Sequence, residues 1–279
     1  MVSAYYRYLH RHHLLFLLTL ILHCNRVALS KLDTAQLYEE LYSTQGYHSN
    51  LNITHAEPLV EIIHGKYSRR VEENGVLDIG CSHGRGVELL WEKNISASGM
   101  DISRTAVHMA KLNRHDPSWC GHGWTEARAK KCCRGVCFKV GSATEIPFDE
   151  NEFDAIMTTD VLEHLLPEDV PQMVKEFKRV ARSLIFVSVA IIPEKERSYL
   201  ENLRQSDQGL KFKKVKSLHT TVLNRDSWIK AFEDEGITLL SSQKCKHCSP
   251  QVFVFEMSSP ADSPRVFGVR DTNTNVFNR

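Results

Sequence analysis

The chain has 279 residues, 42% hydrophobic and 25% charged, ordinary proportions for a globular protein, which excludes wholesale disorder. Lys and Arg number 35 against 34 Asp and Glu, a net charge of +1, so no basic excess exists to carry nucleic-acid binding. With 14 glycines and 9 prolines the chain is neither collagen-like nor low in complexity.

Residues 1–30 carry Arg7, Arg11 and Arg26, no acid, and the apolar run from Leu14 to Leu22. As a helix that run spans roughly 14 Å, about half of a bilayer core, which suits the apolar centre of a signal peptide better than a membrane span. Ala28 and Ser30 stand two apart, as a signal peptidase requires, so cleavage is expected after Ser30. An uncleaved anchor and an organelle leader are the alternatives, and only the anchor would bring a membrane into the account. The sequons Asn52-Ile-Thr54 and Asn94-Ile-Ser96 agree with a secretory lumen.

Beyond the leader, an amphipathic helix is expected over Leu32–Tyr47, with Leu37 and Leu41 inward and Gly46 at its end. A second helix is expected from a Thr54 cap, with Pro58 in its first turn and Leu59, Ile62, Ile63 and Tyr67 on one face. The period then shortens. Val76–Ile79 reads as a buried strand, a helix follows through Leu89–Trp91, and Ala97–Asp101 is a second strand before a helix capped by Ser103. Residues 114–134 break the pattern and form an insertion. Strands are expected at Val136–Val140, Phe153–Thr159 and Leu184–Ala190, with a helix over Val170–Ala181. Residues 193–217 read as a second insertion or lid. Asp226 opens a helix stopped by Gly236. Ile237–Leu240 and Val252–Phe255 then form an antiparallel pair, and 258–279 a flexible tail. The expected fold is α/β and doubly wound: a mostly parallel seven-stranded sheet, helices on both faces, and an antiparallel C-terminal edge. One domain over 31–257 accounts for it.

Of eight cysteines, Cys24 lies in the leader and Cys81 reads as a buried thiol. Cys120, Cys132, Cys133, Cys137, Cys245 and Cys248 make an even set in two loop-like clusters. Three disulfides in an oxidising lumen are expected, with zinc at Cys245-Lys-His-Cys248 as the rival.

The chemistry concentrates in Val76-Leu-Asp-Ile-Gly-Cys-Ser-His-Gly-Arg-Gly86. Glycines at a strand-to-helix turn let the backbone approach a ligand, and Asp78, two residues before Gly80, suits a cationic ligand group better than a pyrophosphate. The stretch Asp78-x-Gly80-x-Ser82-x-Gly84 resembles motif I of the class I S-adenosylmethionine-dependent methyltransferases, with Ser82 in place of the middle glycine. Three further segments, in order, extend the resemblance over about residues 54–257. Asp101 ends the second strand, and Gly141-Ser142-Ala143 through Phe148 resembles the family's G-D-A-x-x-L-P-F, with Ser142 for Asp. Asp160-Val-Leu-Glu163-His164 follows the fourth strand.

The resemblance implies a Rossmann-like methyltransferase that binds S-adenosylmethionine through Asp78, Gly80, Ser82 and Gly84, with Asp101 and Ile102 at the ribose. Ser142 and Ala143 would lie at the adenine, and Asp160 at the methionine end. A hydroxyl or amine acceptor must lose a proton, and His164 or His219 is the candidate base, although His164 also reads as a structural histidine starting a helix and His219 as a substrate contact. Tyr38, Tyr42 and Tyr47 are readable as an aromatic lid or as packing, and His83 as a border of the pocket. Asp160, Glu163 and His164 offer metal-ligand chemistry but an incomplete set, so no metal is assigned. The acceptor expected is a small molecule or glycan in the secretory lumen. The alternatives are N- or O-methylation of a lipid headgroup or metabolite, and a non-catalytic protein that keeps the fold. Nucleic acid is not expected as a partner, and the oligomeric state is open.

Overall fold

The computed structural model describes residues 34–43, 55–114, 137–191, 217–244 and 251–257. Helix α1 covers 34–43, inside the expected Leu32–Tyr47. Helix α2 is Glu57–Ile62, with Pro58 in its first turn where a missing N–H costs nothing. Its start falls at Ala56, without a side-chain cap, and Thr54 lies outside the described residues. The chain continues through a π turn, Ile63–Tyr67, and a 3-10 turn, Ser68–Val71, so Leu59 and Ile63 are buried on one winding face as expected.

Strand β1, Val76–Ile79, is buried throughout. Helix α3 is Arg85–Glu92, β2 is Ala97–Asp101 and α4 is Arg104–Arg114. Ser103 caps α4 as expected, its Oγ accepting from the Ala106 N–H at 3.1 Å. Strand β3 is Phe138–Val140 and β4 is Phe153–Thr159.

Helix α5, Val170–Val180, passes without a loop into β5, Ala181–Val189. Ala181, expected to end the helix, is instead extended at φ −88° and ψ 143° and opens the strand. The expected β5 therefore began three residues late: Arg182 and Ser183 are polar and hid the strand signal, while pairing with β4 overrides it. Helix α6, Arg225–Glu233, is capped by Asn224, whose side chain accepts from the Ser227 N–H, two residues before the expected Asp226. Strands β6, Ile237–Lys244, and β7, Gln251–Met257, each extend beyond the expected cores.

The sheet order is β3-β2-β1-β4-β5-β7-β6. The first five strands are parallel, and β7 pairs antiparallel with both β5 and β6. The expected doubly wound architecture with an antiparallel edge is thus the one observed.

Alternation along the strands divides the core in two. Val76, Ala155, Met157, Leu184 and Phe186 pack with Leu59, Ile63, Leu90 and Trp91 on one face. Leu77, Ile156, Ile185 and Val187 pack with Phe177, Trp228 and Phe232 on the other. Phe232 stacks on Phe255 with centroids 4.2 Å apart.

Cys81 is a buried thiol, as expected. Cys137 is buried ahead of β3, and Cys120, Cys132, Cys133, Cys245 and Cys248 lie outside the described residues, as do the leader, both insertions apart from Arg114 and Ser217, and the tail. No helix among the described residues is long and apolar enough to cross a membrane.

Candidate active site

In a parallel sheet the crevice for a ligand opens beyond the carboxyl ends of the strands, where the strand order reverses. Here β1 and β4 flank that point. The chain leaves β1 at Asp78 and Ile79 and turns sharply. Gly80 has φ +76° and Gly84 φ +79°, both left-handed, and Ser82 between them is also left-handed at φ +49°. The position of the replaced glycine therefore keeps a glycine-like backbone at some conformational cost to serine. A Cβ on Gly80 would overlap Val161 Cγ2, and one on Gly86 would come within 2.5 Å of Asp78 Oδ2. The loop can pass this close to its neighbours only without side chains there.

Asp101 ends β2 beside this loop. Its Oδ2 accepts the Ser82 N–H at 3.0 Å and its Oδ1 the Ser103 N–H at 2.9 Å. A carboxylate has about four acceptor sites, so these bonds do not exhaust it. Burial pushes the Asp101 carboxyl up to about 6 despite these donors. Asp78 is also buried, and burial together with the neighbouring Asp101 charge raises its carboxyl well above the usual range. Two buried acids side by side are costly unless a cationic or donor-rich group completes them. Ile102 is half-buried between Asp101 and Ser103.

Ser142, two residues after β3, is half-buried and bonded locally. Its Oγ accepts the Thr144 N–H at 3.2 Å and lies 2.9 Å from the Thr144 hydroxyl, closing a local turn. Ala143 is buried beside it.

The second wall follows β4. Asp160 has φ +53°, and its N–H donates to the Ser188 carbonyl at 3.0 Å. The chain then makes a 3-10 turn, Leu162–His164, which His164 ends. Glu163 within that turn is only 1% exposed. Its Oε1 accepts the Ala190 N–H at 3.1 Å, while Oε2 has no hydrogen-bond partner among the described residues. Burial, and then the Asp160 charge, push its carboxyl up to about 8.

The segment 218–221 docks onto this turn. The Thr220 and Thr221 N–H groups donate to the Glu163 carbonyl at 2.8 and 2.9 Å, and both hydroxyls donate to the Leu165 carbonyl. His164 Nδ1 donates to the Leu218 carbonyl at 2.9 Å. His219 is thereby brought against His164, with ring centroids 4.9 Å apart and nearly perpendicular. Its Nδ1 has no partner among the described residues.

Two contributors escaped the sequence reading. His55 bonds Asp160 through Nδ1, which raises its pKa. It precedes α2 without any periodic or motif signal. Glu39 of α1 accepts from the Ser103 hydroxyl at 2.7 Å, the Thr105 N–H at 3.1 Å and the Thr105 hydroxyl at 2.6 Å. Tyr38 and Tyr42 of the same helix meet the edges of His164 and His83. Helix α1 therefore fastens over both walls by packing and hydrogen bonds, and Tyr47 lies outside the described residues.

Residues 77–184 match the family described as a methyltransferase domain. Among solved structures, magnesium protoporphyrin IX methyltransferase from Synechocystis with bound S-adenosylmethionine superposes with a TM-score of 0.55 at 13% identity, covering 81% of this chain and 97% of that one. A protein from Pyrococcus horikoshii gives 0.51 at 20% identity, over 78% and 99% of the two chains. A structure concerned with conversion of a disulfide bond into a thioacetal group during echinomycin biosynthesis gives 0.50 at 16% identity, over 80% and 92%.

Proposed function

We infer that this chain, which belongs to the class I S-adenosylmethionine-dependent methyltransferases by its domain match and its sheet order, methylates a hydroxyl of a small molecule or glycan in the secretory lumen. The carrying observation is what gathers at the carboxyl ends of the parallel strands: the buried acids Asp78 and Asp101 of β1 and β2, and the His164–His219 pair in the segment that follows β4.

The acid wall fits S-adenosylmethionine. Asp101 presents two oriented acceptors, which suits two adjacent ribose hydroxyls. Asp78 lies buried where a cationic amino-acid portion would relieve its cost. The left-handed Gly80 and Gly84 turn the backbone sharply at the end of β1, the kind of turn that lets main chain approach a ligand. Ser142 is committed to its own turn, so contacts at the adenine fall to the backbone near Ala143. When bound, the cofactor supplies the electrophilic methyl group.

The protein's contribution is orientation, exclusion of water and a destination for the proton. As the acceptor oxygen forms its bond to the methyl carbon, the carbon–sulfur electron pair stays on sulfur and the hydroxyl proton leaves. His219 would receive it in this reading, which is supported by its buried Nδ1 having no hydrogen-bond partner among the described residues and by its contact with His164.

The lumenal assignment rests on the leader, the Ala28/Ser30 cleavage pair and the sequons, of which Asn94 is exposed in the turn after α3. The test is incubation of the mature protein with methyl-labelled S-adenosylmethionine and alcohol, glycan, amine and lipid acceptors. Label recovered as a methyl ether on a soluble acceptor supports the reading. Label on nitrogen or on a lipid headgroup replaces the acceptor class, and cofactor binding without transfer to any acceptor makes the chain a non-catalytic relative.

A further inference from the structure

We propose that Glu163, His164 and His219 form a divalent-cation site at the acceptor side of the crevice, through which the protein grips its hydroxyl substrate. Each residue offers one ligand atom, and the three atoms lie within 4.8 Å of one another. Ligands held about 2.1 Å from an ion are separated by about 3–4 Å, so a small contraction closes the set.

The fold holds the three side chains together although His219 is distant in sequence from the other two. Glu163 and His164 are consecutive in a 3-10 turn, and His219 arrives on a segment fixed by the Thr220 and Thr221 bonds to the Glu163 and Leu165 carbonyls. A carbonyl can only accept, so the bond to Leu218 places the His164 proton on Nδ1 and the lone pair on Nε2. Metal-ligating histidines characteristically donate their second nitrogen in this way. Glu163 is anchored likewise, with Oε1 taking the Ala190 N–H.

What the fold leaves undone points to the occupant. Glu163 Oε2 and His219 Nδ1 are buried and lack hydrogen-bond partners among the described residues, and they do not bond each other. Natural proteins seldom leave such atoms unpaired, because each one costs its desolvation. A single cation between them satisfies both. The donor set of two imidazoles and one carboxylate suits a first-row divalent ion. Three protein ligands leave positions open for an acceptor oxygen, and an ion-bound hydroxyl loses its proton more readily. In this arrangement the two histidines act on the acceptor through the ion, which takes the place of His219 as base, and the hydroxyl proton passes to solvent water. That role rests on the hydroxyl-acceptor reading above, whereas binding of the ion does not.

Metal-stripped full-length protein is titrated with Mn2+, with free ion followed by electron paramagnetic resonance. Mn2+ favours oxygen and imidazole donors over thiolates, so Cys245 and Cys248 do not compete. One Mn2+ per chain is expected, with affinity lowered at least about tenfold in both His219→Ala and Glu163→Gln. Melting temperature and S-adenosylmethionine affinity are measured on the same samples. Should the buried Glu163→Gln fail to fold, the half-buried His219→Ala decides alone. No saturable Mn2+ binding by the wild type, or unchanged binding in His219→Ala, overturns the site. Loss of turnover in His219→Ala from a wild type that binds no Mn2+ also overturns it and leaves the imidazole as a base. Wild type that binds Mn2+ but not S-adenosylmethionine upholds the ion site and removes the methyl-transfer reading instead.

Discussion

Single residues carry the acid wall, and their costs are measurable. Asp101 has a carboxyl raised to about 6 from 3.8, so the folded protein holds its proton over a window in which the unfolded chain has released it. More protons bound in the native state means stability falls as pH rises through that window, and the contribution is fully present only below the unfolded value. Thermal melts between about pH 4 and pH 6 should show this slope, to which the raised carboxyls of Asp78 and Glu163 add with the same sign, and Asp101→Asn should reduce it. An unchanged slope would place the titration elsewhere. Gly86→Ala tests close packing at the same wall. Its Cβ would fall within 2.5 Å of Asp78 Oδ2 and 3.2 Å of the Ala56 Cβ. Overpacking of this kind costs about 1–3 kcal/mol, read as a lower denaturant midpoint at constant slope. At this scale the acids and glycines were legible from sequence because their spacing is local. His55 and Glu39 were not, since each meets its partner across 64 residues or more.

Elements were legible where the apolar period was unbroken and blurred where it was not. Strands β1 and β4 fall where expected because their buried segments are largely apolar, and β2, Ala97–Asp101, falls where expected although only Ala97 and Met100 in it are apolar side chains of the core. The junction of α5 and β5 was misplaced because no turn residue separates them, and only sheet pairing decides where helix ends. The 3-10 turn carrying Glu163 and His164 was equally hidden, since three residues give no period. Helix α1 is the element whose role the sequence least disclosed: its aromatic face was visible, its acid clamp on α4 was not. Replacing Glu39 with Ala removes three hydrogen bonds to Ser103 and Thr105. Bonds to a charged group contribute about 1.5–3 kcal/mol each when buried, and less at this half-buried position. A lower melting temperature and earlier proteolytic cleavage within 34–43 are expected, with the sheet intact by circular dichroism. On the opposite face Phe232→Ala should cost about 3–5 kcal/mol, because the ring is fully buried against Phe255 and Phe177.

For the whole molecule, the order β3-β2-β1-β4-β5-β7-β6 places the ends of β1, β2 and β4 around one crevice, and those ends carry Asp78, Asp101 and Asp160. Topology thus gathers residues that the sequence scatters over more than eighty positions. Compartment belongs to this scale too. Protein recovered from a eukaryotic secretory host should begin at Lys31, whereas retention of Met1 in a cytosolic, unglycosylated form would contradict the lumenal proposal. The central claim is that the acid wall binds S-adenosylmethionine. Calorimetric titration of S-adenosylmethionine into wild type and Asp101→Ala addresses it most directly. One cofactor per chain is expected for the wild type, with binding weaker by roughly 1.5–3 kcal/mol in the variant, the scale of hydrogen bonds to a charged group. Absence of binding in the wild type, or equal affinity in both proteins, would contradict the account.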